Sequence, residues 1–325
     1  MLVLDKREVE SLLDPDALRT AVGAALADLS AGRASMPTRI AALVAERDAL
    51  LAVMPAYLPS AGALTTKLVS LFPRNTDRPT HQAIIVAFDP ETGTPSALMD
   101  GEAITAARTA AGSALATDLL ARPDAATLAV IGTGVQARAH LNALPRVRRF
   151  REIVIAARDG AKAVALSREI AAQAGVPTRT ASFSEAVRGA DVVCACTHSA
   201  EPVVRRDWLR DGTHVNSVGF NTAGREVDGE TVAAALVVVE SRAAALAPPP
   251  AGSNDLAWPI RDGLIDAKHI HAELGEIVSG ARPGRAGPSQ LTLYKSVGVA
   301  VEDAAAAALV LRLARERGIG KNITI

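Results

Sequence analysis

The chain has 325 residues, carries 35 basic and 35 acidic side chains, and is only 3% aromatic. That length accommodates two domains with substantial cores, while zero net charge and few aromatics leave neither an electrostatic footprint nor stacking surfaces for nucleic acid. No apolar run is long enough to span a bilayer, and Met1-Leu-Val-Leu-Asp-Lys6 lacks the regions of a signal peptide, so the expectation is a soluble, cytoplasmic protein without a membrane partner.

The first predicted element is a helix over 16–29, capped through Asp14 with Pro15 in its first turn. Strand-like runs follow at 50–54, 64–72 and 83–89, and Asp89-Pro-Glu-Thr-Gly-Thr-Pro95 reads as a hairpin turn into a further strand at 96–99. An alanine-rich helix over about 105–120 leads to Ala126-Thr-Leu-Ala-Val-Ile-Gly-Thr-Gly-Val-Gln-Ala137, a short apolar strand that runs into a Gly-x-Gly-x-x-Ala turn and then a helix. In a dinucleotide fold Gly132 makes the tight turn, Gly134 admits the pyrophosphate to the backbone, and Ala137 keeps helix and strand close. The helix start then offers free N–H groups to the anion. Glycine turns also end strands for packing reasons; what gives this one more weight is its position, with more than a hundred residues of the chain before it.

From there short β-rich runs alternate with helices, with strands at 128–131, 153–156, 178–181, 192–196, 214–218 and 236–239 and a helix at 160–174 closed by Gly175 and Pro177. Six strands with intervening helices predict an α/β fold with a doubly wound parallel sheet of Rossmann type. Pro248-Pro-Pro250 and Arg282-Pro-Gly-Arg-Ala-Gly-Pro288 read as loops, and a last helix over 299–317 ends at Gly318. Cys194 and Cys196, two apart in an apolar strand, read as small core side chains; His269 and His271 lack the companions of a zinc set, and no metal site is expected.

Several further segments stand in a distinctive order. They are Thr66-Lys-Leu-Val-Ser-Leu-Phe-Pro-Arg-Asn75, Thr92-Gly-Thr-Pro-Ser-Ala-Leu-Met-Asp-Gly101, Ile104-Thr-Ala-Ala-Arg-Thr-Ala-Ala111, Thr213-His-Val-Asn-Ser-Val-Gly219, and Tyr294-Lys-Ser-Val-Gly298 with Glu302-Asp303. Together with the glycine turn they resemble the ornithine cyclodeaminase/μ-crystallin family over nearly the whole chain. The resemblance implies a Rossmann-type domain over 116–298 and an α+β substrate and dimerisation domain over 1–115, completed by 299–325. It also implies a homodimer, NAD(H) or NADP(H) as cofactor, and a small 2-imino or 2-amino acid as substrate. Nucleotide contacts would come from Thr109, Gly132, Thr133, Gly134, Val135, Gln136, Ala137, Thr197, Val218, Gly219, Lys295, Ser296 and Gly298.

Residue chemistry points the same way. A substrate carboxylate needs a planar cation, which makes Arg108 and Arg39 candidates, although in an arginine-rich chain any one arginine is more often a surface pair. Lys67 shares a strand face with Val69 and Leu71; it is either a snorkelling edge lysine or a buried one poised to pass a proton, and the family lysine at this position contacts substrate. The family's cyclodeaminases carry a catalytic aspartate where this chain has Asn221, and an amide neither gives nor takes a proton near neutral pH. Ring closure with ammonia loss needs a base, whereas reduction of a preformed imine needs far less. Lys295 agrees, since family reductases tend to carry lysine there. Asp228 reads as the cap of the next helix. At the end of the second strand Ala157 holds the usual acid position and Arg158 follows, which favours NADP(H) over NAD(H), with Asp159 as a competing acid. The leading expectation is an NAD(P)H-linked ketimine reductase or amino-acid dehydrogenase. The alternatives are an ornithine-type cyclodeaminase and a crystallin-like nucleotide binder with little turnover.

Overall fold

A computed structural model of the chain describes residues 1–248 and 251–324; Pro249 and Pro250 of the expected proline loop lie outside the described residues. The chain divides into two compact units, residues 1–108 with 298–325 and residues 109–297. The first boundary falls inside the helix Gly101–Leu120, at 108/109, where the resemblance implied a border at 115/116.

In the first unit seven strands form one sheet in the order Lys321–Asn322, Leu2–Leu4, Pro95–Asp100, His81–Phe88, Ala63–Leu71, Ala49–Leu58, Ile40–Val44. Pairing is antiparallel except between Leu2–Leu4 and Pro95–Asp100. Strict alternation places Ala63, Thr65, Lys67 and Val69 on the buried face of their strand. That face is covered by the helix Ala300–Arg317, which also packs on Pro15–Ser30. Asp14 caps the latter helix by accepting from the Asp16 and Ala17 amides, and Gly318 ends the former at φ +65°, both at the expected positions. The hairpin turn at Asp89 is present, its carboxylate accepting from the Glu91 and Thr92 amides. Three strands escaped the sequence reading. Leu2–Leu4 and Lys321–Asn322 are too short for a period to show, and Ile40–Val44 is apolar without alternation because it is an exposed edge.

The helix Gly101–Leu120 begins four residues before the expected start, and local chemistry explains why. Asp100 accepts from the Ala103 amide, and a Cβ on Gly101 would lie 2.8 Å from the Ala83 backbone carbon. Asp-Gly is therefore both the cap and the only close fit against the neighbouring strand.

The second unit holds eight strands, all pairing in parallel, in the order Ile270–Glu273, Leu236–Val239, Thr292–Lys295, His214–Ser217, Val192–Ala195, Thr127–Ile131, Glu152–Ala156, Thr178–Thr180. The order runs outward in both directions from Thr127–Ile131, which makes the sheet doubly wound and puts the switch point between that strand and Val192–Ala195. The central strands are buried apart from the half-buried first residues Thr127 and Glu152, as both-face cover requires. Six strands were expected and eight are present among the described residues. Ile270–Glu273 and Thr292–Lys295 carry His, Glu, Thr and Lys, so they lack the continuous apolar run that marked the others. Thr292–Lys295 inserts between His214–Ser217 and Leu236–Val239, a placement that no local pattern encodes.

Candidate functional site

In the first unit, strand alternation and the two helices bring charged side chains together inside an apolar setting. Lys67 is 3% exposed, with Nζ 2.7 Å from Asp303 Oδ2 and 3.4 Å from the Thr105 hydroxyl. Arg108, 4% exposed, donates from Nε to Asp303 at 3.1 Å and from Nη1 to Glu302 at 2.9 Å. Arg39 donates to the Gly298 carbonyl at 2.6 Å. Gly298 has φ +72°, and a Cβ there would lie 2.6 Å from the Arg108 guanidinium. Only glycine lets this turn lie against the arginine. Gly298, expected to touch the nucleotide, falls in the first unit, between the two arginines.

Burial pulls the Lys67 ammonium down to about 8, with Arg108 and Arg39 adding to the fall and Asp303 opposing it. Burial alone would raise Asp303, but Lys67 and Arg108 hold it below its usual value. The snorkelling reading of Lys67 therefore does not describe this side chain. His81, at the start of His81–Phe88, is held down to about 4 by burial and then by Lys67 and Arg108, so it is neutral at pH 7. It went unnoticed in the sequence, where a lone histidine after a threonine carries no pattern.

In the second unit, Gly132 adopts φ +122°, and a Cβ on it would meet the Cys196 carbonyl oxygen at 2.6 Å. Gly134 is the N-cap of the helix Val135–Ala143, with no side-chain cap and nothing within 4 Å of the place a Cβ would take. Ala137 is fully buried, Val135 is 65% exposed on the first turn, and Gln136 keeps a buried Oε1 without a partner among the described residues. Thr133 is half-buried in the turn. An open glycine at an uncapped helix start, with an exposed apolar residue beside it, fits the pyrophosphate and neighbouring ring of a dinucleotide. Arg158 is exposed and makes no ion pair or hydrogen bond among the described residues, while Asp159 is used as the N-cap of Gly160–Ala174, accepting from the Lys162 amide.

At the strand ends, one buried carboxylate organises several expected contacts. Glu226 accepts from the Thr197 hydroxyl at 2.7 Å, the Gly219 amide at 2.7 Å and the Ser217 hydroxyl at 3.1 Å. Burial and then Asp255 push Glu226 up, against Lys295. Lys295 Nζ reaches Asp255 at 2.9 Å, the Gly219 carbonyl at 2.8 Å and Ser217 Oγ at 3.1 Å. Three such bonds occupy an ammonium completely. Lys295, expected to touch the nucleotide, holds the Gly219 carbonyl among these partners. Ser296 likewise donates to buried Glu240. Val218 extends the parallel ladder, its amide donating to the Ala195 carbonyl, and Thr109 is buried in the long helix. Glu226, Asp255 and Glu240 were missed in the sequence, since single acids among loops look like solvated surface.

Asn221 shapes its own loop: its amide nitrogen donates to the His198 carbonyl at 3.0 Å and its oxygen accepts from the Ala223 amide at 2.8 Å. Asp228 caps the helix Gly229–Ala234 through the Thr231 amide, as expected, and is committed there.

Fold and site together define a dinucleotide-binding α/β protein with a separate unit built around buried lysine and arginine. Residues 1–318 match the ornithine cyclodeaminase/mu-crystallin family, and the chain belongs to it. It is 39% identical over 314 residues to the ketimine reductase mu-crystallin of Mus musculus, covering 95% of this chain and 94% of that one. Among solved structures, Thermococcus litoralis Delta(1)-pyrroline-2-carboxylate reductase in complex with NADH and L-proline is similar with a TM-score of 0.95 at 39% identity, over 99% of this chain and 100% of that one. An archaeal alanine dehydrogenase dimer with bound NAD is similar with a TM-score of 0.92 at 31% identity, over 100% and 99% of the two chains.

Proposed function

We propose that this protein is a nicotinamide-dependent oxidoreductase that interconverts small 2-imino acids, cyclic ketimines above all, and the corresponding 2-amino acids. The observation that carries the reading is Lys67, buried 2.7 Å from Asp303 and held at about 8 beside Arg108. A buried amine that titrates near neutral pH is matched to proton transfer rather than to packing. When bound, the reduced nicotinamide would supply a hydride to the imine carbon. Lys67 supplies the proton that the imine nitrogen gains, Arg108 and Arg39 place positive charge beside the substrate carboxylate, and Asp303 orients Lys67 and Arg108. Gly132, Thr133, Gly134, Val135, Gln136 and Ala137 would hold the pyrophosphate, and Glu226 would keep Thr197 and Gly219 in place for the nicotinamide.

Asn221 favours this chemistry over ornithine cyclodeamination. Its amide does not titrate and both its ends are engaged in the loop, while Asp228 is held as a helix cap. The shifted Lys67 speaks against a nucleotide binder without turnover. For the cofactor, unpartnered Arg158 beside an Asp159 used as a cap supports NADP(H) over NAD(H). For assembly, the edge strand Ile40–Val44 exposes Ile40 at 70% and Leu43 at 72%, and the similarity to a dimeric alanine dehydrogenase supports a homodimer.

A panel of five- and six-membered cyclic 2-imino acids, pyruvate with ammonia, and ornithine, each assayed with both nicotinamide cofactors, tests the proposal. Imine-dependent oxidation of NADPH with little ammonia release from ornithine is the expected result. Efficient conversion of ornithine to proline and ammonia would overturn the reductase reading.

A further inference from the structure

Behind the glycine turn lies a cluster that the proposed reaction does not use. Cys194 is fully buried in the strand Val192–Ala195 and Cys196 follows it half-buried, with their sulfurs 3.6 Å apart. The fully buried imidazole of His140, from the helix Val135–Ala143, completes the group, and its ligand atom and the two sulfurs all lie within 4.8 Å of one another. We propose that His140, Cys194 and Cys196 form a binding site for a thiophilic divalent d10 metal ion of the zinc class.

Three observations support the assignment. Two thiolates sharing a tetrahedral zinc at about 2.3 Å each stand roughly 3.8 Å apart, close to the separation already present. His140 Nδ1 lies 2.7 Å from the Gln136 carbonyl oxygen, which can only accept, so the ring proton sits on Nδ1 and the Nε2 lone pair accepts from the Ser113 hydroxyl, a bond that the metal ion would displace. An imidazole fixed through its second nitrogen by a backbone carbonyl is the arrangement that metal-bound histidines adopt. The hydroxyl of Ser113, 2.9 Å from Nε2, or a water then supplies the fourth ligand. Charge selects the ion. Two thiolates with a divalent cation and neutral imidazole are neutral overall, which a buried site tolerates, whereas a monovalent ion would leave a net negative charge.

On binding, each sulfur–hydrogen bond breaks, two protons leave to solvent, and two metal–sulfur bonds form without any redox change. Because both thiols give up a proton to the ion, metal affinity rises with pH.

Titration of the reduced full-length protein with Cd2+ alone tests the site through the ultraviolet thiolate-to-cadmium charge-transfer band and the protons released. One Cd2+ per chain with two protons released is expected. Cys194→Ser, Cys196→Ser and His140→Gln, each confirmed folded by circular dichroism, should each weaken binding by tenfold or more. Absence of a saturable band in the unsubstituted protein, which needs no variant to fold, would overturn the proposal. So would binding of unchanged affinity in folded His140→Gln or in either cysteine variant.

Discussion

At the scale of single residues, burial and local partners decide what each charged group does. Lys67 and Arg158 are the two extremes. Lys67 has lost its water and sits at about 8, well below the ordinary lysine value of about 10.4. If it donates the proton in reduction, kcat/KM for the imine should fall as pH rises through about 8, because the free enzyme then carries the neutral amine. The reverse oxidation should rise over the same interval. A Lys67→Met protein should lose both the inflection and most of the rate; a pH profile of unchanged shape would remove Lys67 from proton transfer. Arg158, exposed and unpartnered among the described residues, has no structural duty to lose. A charge-assisted bond to phosphate contributes about 1.5–3 kcal/mol, so Arg158→Ala should weaken NADPH by roughly tenfold or more and leave NADH nearly unchanged. Equal losses in fluorescence titrations with the two nucleotides would show that Arg158 does not read the phosphate.

At the scale of elements, the strand–turn–helix at residues 127–143 separates two uses of glycine. Gly132 is required by its own backbone, at φ +122° with the Cys196 carbonyl where a Cβ would stand, whereas Gly134 faces open space. Gly132→Ala should therefore lower thermal stability, by about 1–3 kcal/mol for the strained conformation, and weaken nucleotide binding with it. Gly134→Ala should leave the melting temperature unchanged and still weaken dinucleotide binding, since its methyl would occupy space reserved for phosphate. Retained affinity in folded Gly134→Ala would mean that no ligand approaches that backbone. Both glycines stood out in the sequence by position, but only the structure tells which one serves the fold.

At the scale of the whole molecule, the edge of the first sheet is the open question for assembly. Ile40–Val44 leaves backbone donors and acceptors unpaired along one side and presents Ile40 and Leu43 outward. Covering such an edge with a second copy removes both liabilities, and a twofold dimer is the simplest closed solution. Light scattering at micromolar concentration should report a dimer, and the double substitution Ile40→Glu, Leu43→Glu should shift it towards monomer. A monomeric unsubstituted protein, or a double variant still fully dimeric, would place the interface elsewhere or remove it.

What the amino-acid order determined by itself was whatever depends on neighbours in sequence. The Asp14 and Asp228 caps, the Asp89 turn, the Gly318 stop, the apolar central strands and the dinucleotide turn all arise within a few residues, where propensity and hydrogen bonding act without reference to the rest of the chain. Lys67 and Arg108 were also visible, because cations in apolar segments stand out, and Arg39 through the family resemblance. Tertiary structure decided the partners. Asp303 meets Lys67, and Glu226 binds Thr197, through contacts between segments that are far apart in sequence or joined by loops. It also inserted Thr292–Lys295 into the parallel sheet and thereby buried Lys295 against Asp255. Such pairings follow from which faces are brought together in burial, and that depends on the packing of the entire unit rather than on any local run of side chains.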